Sequence, residues 1–150
     1  MCEMQIKYKQ IDHVILEKIV DSYGEGVREY IFIRENTFAL AALDGEIPVG
    51  FICVTPAALA YPLEQLVDAF IEIYEVHEDY RRQGIGRHLV TCAEEWARSA
   101  GFRQIRTHHN NEAANAIKLS NSLNYGLCPY DYWVDGKMYS GYWVSKVLHV

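Results

Sequence analysis

Apolar and polar positions along the chain fall into short runs with a period of two and longer runs with a helical period. Residues 4–9 alternate weakly and predict a short first strand. Val14, Ile15, Leu16, Ile19 and Val20 then recur at helical spacing, with Asp12 placed to cap the helix they form. Gly24 and Gly26 break it, and a second short helix is expected over residues 27–33. Residues 37–43 and 49–55 are β-branched or apolar runs around Asp44-Gly45, the pattern of a hairpin. Residues 56–62 are expected as a loop, and Phe70-Ile71-Glu72-Ile73-Tyr74-Glu75-Val76 as the next strand. Ile85, Leu89, Cys92, Ala93, Trp96 and Ala97 mark one face of a longer helix that Gly101 stops. A strand over residues 104–108 follows, then a helix over 112–123 capped by Asn110 or Asn111. Strands over 127–134 and 138–148, joined by an Asp135-Gly136 turn, close the chain. The order β-α-α-β-β-β-α-β-α-β-β reads as one continuous α/β unit over residues 1–150, with no repeat, linker or low-complexity segment.

Composition narrows the function classes. Half of the 150 residues are hydrophobic, enough for a substantial core. No apolar stretch approaches membrane length and no signal sequence opens the chain, so no membrane partner is expected. The net charge of −6 argues against nucleic-acid binding and suits a cationic acceptor such as an amine. Cys2, Cys53, Cys92 and Cys128 lie far apart, with neither metal nor redox spacing. Cys53 and Cys92 fall in apolar runs as core thiols, and a reducing, cytoplasmic setting is expected.

The sharpest local feature lies between the strand at 70–76 and the helix after it, where residues 81–86 read Arg-Arg-Gln-Gly-Ile-Gly. A helix that starts near Gly84 points free N–H groups and its positive dipole end outward. Glycines at 84 and 86 let a ligand approach the backbone, and the ligand such a site suits is a phosphate or pyrophosphate. A Walker loop would place Lys-Ser/Thr after the last glycine, where Arg87-His88 stands. A dinucleotide fingerprint would need three spaced glycines early in a βαβ unit. The run from Val76 through His77-Glu78-Asp79-Tyr80 to Gly86 instead resembles the signature of the GNAT superfamily of N-acetyltransferases. The Ile71-x-x-Tyr74-x-Val76 spacing and the segment Asn115-Ala116-Ile117-x-Leu119, ending in Leu123-Asn124-Tyr125, are similar to that family as well.

The resemblance implies the GNAT fold, a mixed central sheet of six or seven strands flanked by about four helices. It implies acetyl-CoA as co-substrate, its pyrophosphate on Arg81, Arg82, Gln83, Gly84, Ile85, Gly86 and Arg87. It places the Val76 backbone N–H at the thioester carbonyl, Tyr74 along the cofactor arm, and Asn111 and Asn115 as its hydrogen-bond partners. The family's usual tyrosine acid falls at Ser120, a departure that leaves protonation of the thiolate open; Tyr125 and the tyrosine-rich end are the fallback candidates.

The residues themselves point to the base. Glu72 and Glu75 interrupt an apolar strand, and a carboxylate withdrawn from water is a better proton acceptor. In a regular strand they face opposite sides, so only one reaches the cleft unless a bulge intervenes. Glu72 ranks first because it shares a face with Phe70, Tyr74 and Val76, with a structural carboxylate as the competing role. The neighbours His108 and His109 face oppositely, make a poor metal pair and are read as structural; no metal is expected. Tyr130, Tyr132, Trp133, Tyr139, Tyr142 and Trp143 suit a half-buried hairpin, an acceptor wall or a homodimer interface. These features predict direct acetyl transfer to a primary amine of a small molecule, without a covalent intermediate. A protein N-terminus or lysine as acceptor, a non-catalytic acyl-CoA sensor, and a nucleotide-binding protein using the same loop are the alternatives.

Overall fold

The computed structural model describes residues 5–149, so Met4, expected in the first strand, and Cys2 lie outside the described residues. Seven strands form one sheet in the order β1-β2-β3-β4-β5-β7-β6. They are β1 Ile6–Gln10, β2 Phe38–Asp44, β3 Ile47–Ala58, β4 Val67–Val76, β5 Gln104–Asn110, β6 Gly126–Val134 and β7 Lys137–Val147. The pairing of β4 with β5 is parallel, and every other neighbouring pair is antiparallel. Among the described residues the α-helices are α1 His13–Tyr23, α2 Ile85–Ser99 and α3 Ala114–Ser122. None is long and apolar enough to cross a membrane.

Each side of the sheet carries its own core. Helix α1 sets Ile15, Leu16, Ile19 and Val20 against Phe51 and Cys53 of β3. Asp12 caps it by accepting a 2.8 Å hydrogen bond from the Ile15 N–H. On the other side, α2 sets Ile85, Leu89, Val90, Ala93 and Ala97 against Ile52, Val54, Ile71 and Ile105. Its stripe follows the helical period in the sequence, and Gly101, at φ +88°, ends it as expected. The buried Glu94 of α2 pairs with Lys146 of β7 and ties the helix to the far half of the sheet.

Three local expectations change. The second helix, expected over 27–33, is a 3-10 turn at Glu25–Glu29, because only Val27 and Ile31 offer a buried side and no helical stripe continues. The segment expected as a loop from residue 56 begins as strand, since β3 continues through Pro56 to Ala58 beside the start of β4. Neither Asn110 nor Asn111 caps α3, whose N-cap is Ala113. The Asn110 side chain instead accepts from the Glu112 N–H at 3.0 Å, an Asx-type turn just before the helix.

Candidate active site

β4 and β5 are paired only at their first residues, Ala69 with Ile105 and Phe70 with Arg106. The Thr107 hydroxyl donates to the Ile71 carbonyl at 2.9 Å, and past this point the strands diverge into an opening. Their joined end is clamped by Asp68, which is buried and takes the Arg106 guanidinium at 3.1 Å and the Gln104 amide. The Arg106 guanidinium also lies over the Phe70 ring at 5.4 Å.

Backbone alternation aims donors into the opening. The His77 N–H donates to the Val49 carbonyl at 2.8 Å, and Val76 and Glu75 stand opposite Gly50 and Phe51. In an antiparallel ladder hydrogen-bonded and non-bonded pairs alternate. The Glu75–Phe51 pair therefore exchanges bonds with β3, whereas the N–H groups of Tyr74 and Val76 turn away from β3 toward β5. A donor at Val76 needed no side-chain signature and follows from register alone.

The glycine loop stands at the end of β4. Gly84 is the N-cap of α2 in left-handed conformation, φ +83°, with no side-chain cap and no acidic residue in the first turn. A Cβ on Gly84 would meet nothing within 4 Å, so the front of the helix is open. Gly86 has a packing reason as well. Its Cβ would lie 3.3 Å from Leu119 and 3.6 Å from Val76, so its smallness lets α2 start close against α3. Arg81 is fixed by donating from Nε to the Val76 carbonyl at 3.1 Å, and Arg87 by donating to the Ser122 hydroxyl at 2.9 Å. Arg82, left-handed at φ +64°, and Gln83 are exposed, and Ile85 is buried as the first core residue of α2. Asn111 and Asn115 are both exposed at the start of α3.

The two carboxylates do not behave as a regular strand predicts. Cys53 stands opposite Ile73 and Val54 opposite Ile71, so Glu72 is an extra residue, a bulge in β4. The bulge reverses the alternation. Glu72 turns to the α1 side, where it accepts a 2.6 Å hydrogen bond from the Thr55 hydroxyl and lies near the buried Cys53. It does not share a face with Tyr74 and Val76, which pack on the α2 side. Glu75 is exposed on the α1 side as well, near Tyr23 and Arg81. Both carboxylates thus fall on one side of the sheet.

On the opposite side a buried polar group fills the base of the opening. The Ser120 hydroxyl lies 3.2 Å from His109 Nε2, and the Tyr74 hydroxyl reaches the Ala116 carbonyl at 3.4 Å. The rings of Tyr74 and His109 meet edge to face at 5.9 Å. Burial pushes the Tyr74 phenol up to about 12, and a hydrogen bond from Ser120 pulls it part of the way back. Burial, with His108 beside it, holds His109 below its ordinary range. Tyr125 is in the core; its hydroxyl has no partner among the described residues, and burial followed by the Glu94 charge pushes its pKa up. Tyr74, Thr107, Ser120 and Tyr125 line a cavity of about 10 Å³, the size of one water molecule. The sequence marks Ser120 and Tyr74 separately and His109 as structural; only the closing of α3 onto the opening joins them.

His108 faces the other way, boxed by Tyr130, Tyr132 and Trp143 at ring separations of 5.0, 5.3 and 5.4 Å. That aromatic surface shares the α1 side with Glu72, and Trp143 and Tyr139 are 42% and 40% exposed. Among the described residues no three His, Cys, Asp or Glu side chains gather as a metal-binding group.

Comparison with known proteins agrees with this architecture. No curated protein sequence matches the chain. The structure of Arabidopsis thaliana NAA60 in complex with acetyl-CoA superposes with a TM-score of 0.74 at 17% identity, covering 96% of this chain and 99% of that one. The ribosomal-protein-S18-alanine N-acetyltransferase of Escherichia coli gives 0.74 at 13% identity, with 97% and 96% covered. Salmonella typhimurium yncA with its cofactor acetyl-CoA gives 0.68 at 13% identity, with 96% and 94% covered. Residues 8–120 match the acetyltransferase (GNAT) family, and the chain belongs to that family.

Proposed function

We propose that the protein transfers the acetyl group of acetyl-CoA to a primary amine of a small molecule, by direct attack within a ternary complex. The observation that carries this reading is the uncapped start of α2 beside the β4–β5 opening, with backbone donors turned into it. The pyrophosphate rests on the loop N–H groups from Gly84 to Arg87, with Arg81, Arg82 and Gln83 around it, and Asn111 and Asn115 border the cofactor arm. The Val76 N–H meets the thioester carbonyl and the developing oxyanion. Glu72, fixed by Thr55 on the opposite side of the sheet, takes the proton from the amine, directly or through water. Glu75 is the second carboxylate on that side and adds to its attraction for an ammonium group. Direct attack is favoured because Cys53 is fully buried and its thiol is pushed up to about 11, unsuited to carry an acetyl group. Free Cys53, Cys92 and Cys128 suit a reducing, cytoplasmic setting.

A thiol-release assay over a panel of primary amines, with amino-acid derivatives, amino sugars, polyamines and N-terminal peptides as separate arms, tests this reading. Release with a small amine, and intersecting initial-velocity lines, are expected. Selective turnover of the peptides would move the acceptor to a protein, and acetyl-CoA binding without turnover on any arm would make the chain a sensor.

A further inference from the structure

We infer that Tyr74, held from behind by Ser120 and His109, supplies the hydrogen-bond donor that meets the departing sulfur of acetyl-CoA. The inference rests on the proposal that acetyl-CoA enters the β4–β5 opening. It assigns a role that the short side chain at position 120 cannot fill directly.

The argument begins with cost. Tyr74, Thr107, Ser120 and Tyr125 bring polar atoms to a small cavity whose other lining residues, Ile71, Val90, Leu119 and Leu123, are aliphatic, with His109 beside Ser120. Buried polar groups cost free energy unless they are paired, and this set is only partly paired. Ser120 touches His109, whereas the contact of Tyr74 with the Ala116 carbonyl is long, at 3.4 Å, and Tyr125 has no partner among the described residues. A phenol so loosely engaged can turn its O–H to a better acceptor, and a sulfur gaining negative charge is one.

Position supports this. Tyr74 lies two residues before Val76 on the same face of β4, beyond the last β4–β5 pair. A thioester whose carbonyl oxygen meets the Val76 N–H has its sulfur on the same stretch of strand, within reach of the Tyr74 side chain. Ser120, whose hydroxyl lies 3.2 Å from His109 Nε2, lines the same small cavity as Tyr74, and the His109 ring meets the Tyr74 ring edge to face, so the two set the orientation of the phenol.

The pKa direction decides what kind of donor Tyr74 is. A phenol near 12 stays protonated throughout the physiological range and is a weaker acid than an ordinary thiol near 8.5. It therefore stabilises the thiolate by hydrogen bonding rather than by full proton transfer. The amine nitrogen attacks the carbonyl carbon, the C–S bond breaks with its electron pair on sulfur, and the amine proton passes to Glu72. The thiolate leaves hydrogen-bonded to Tyr74 and takes its proton from solvent. Tyr74 is catalytic in this scheme; Ser120 and His109 position it.

The test compares acetyl-CoA with its selenoester analogue, whose selenolate is a much better leaving group. Tyr74→Phe should bind CoA as the parent does and lower kcat with acetyl-CoA on the order of 100-fold. The deficit should shrink several-fold or more with the selenoester. Ser120→Ala should show a smaller deficit with the same leaving-group dependence, and Ser120→Thr should restore it. Equal deficits with both donors, or full activity of Tyr74→Phe, would overturn the assignment. A Tyr74→Phe chain that melts early is bypassed by the Ser120 pair, which leaves the phenol in place. If the parent itself fails to bind acetyl-CoA, the acetyltransferase reading falls and this assignment falls with it; parent binding and turnover with an unchanged variant remove Tyr74 alone.

Discussion

Glu72 owes its position to one extra residue in β4. Without the bulge it would lie on the face of Tyr74 and Val76, beside the proposed cofactor arm; with it, the carboxylate sits across the sheet, hydrogen-bonded to Thr55. Glu72→Gln keeps the shape and can still bond Thr55 but accepts no proton. Turnover should fall by about 10² to 10⁴ with acetyl-CoA affinity unchanged. Turnover equal to the parent's in a folded variant would remove Glu72 as base. His109 gives a second prediction at this scale, on stability. Burial lowers its folded pKa below the ordinary 6.5, so between the two values the unfolded chain binds more protons than the folded one. Its contribution is therefore complete above about 6.5 and is lost as pH falls below that value. The melting temperature should drop on acidification from pH 7 to 5, and His109→Gln should flatten that part of the curve. An unchanged slope would show that other groups govern it.

At the scale of the element, α2 does two jobs with its two ends. Its body anchors the core through a stripe legible in the sequence, because a 3.6-residue period needs no knowledge of the partner. Its start is open because Gly84 caps it by backbone geometry rather than by a side chain. Gly84→Val places a β-branched residue at φ +83°, which L side chains rarely adopt, and fills the space in front of the helix. The protein should remain folded but less stable, and acetyl-CoA affinity by calorimetry should fall below detection. Retained affinity in a folded variant would show that the loop does not hold the pyrophosphate. Elements defined by something other than their own period were harder to read. The turn at Glu25–Glu29 has only a short buried side, and β3 runs on through Pro56 because β4 begins beside it.

At the scale of the whole molecule, the parting of β4 from β5 divides the sheet into two working sides. The α2 and α3 side carries the loop, the Tyr74–Ser120–His109 group and the exposed asparagines. The α1 side carries Glu72, Glu75 and the aromatic surface around His108. The glycine loop and the uncapped helix start behind it were legible because their residues are consecutive. The division was not, because it depends on a register shift between two strands and on a helix closing over them, neither of which has a local signature. The division makes a ligand test decisive. A ligand that binds only the folded state raises its stability by about 2.7 kcal/mol when present at a hundred times its Kd, or roughly 5–10 °C in melting temperature for a chain of this size. Acetyl-CoA should give a shift of that order, and CoA a comparable one, because both present the pyrophosphate and the arm to the same side. ATP and NAD share the phosphates but lack the arm proposed to follow β4 into the opening, so their shifts at equal concentration should be far smaller. A shift with ATP equal to that with acetyl-CoA would reduce the site to a phosphate cradle and remove the opening from the binding mode.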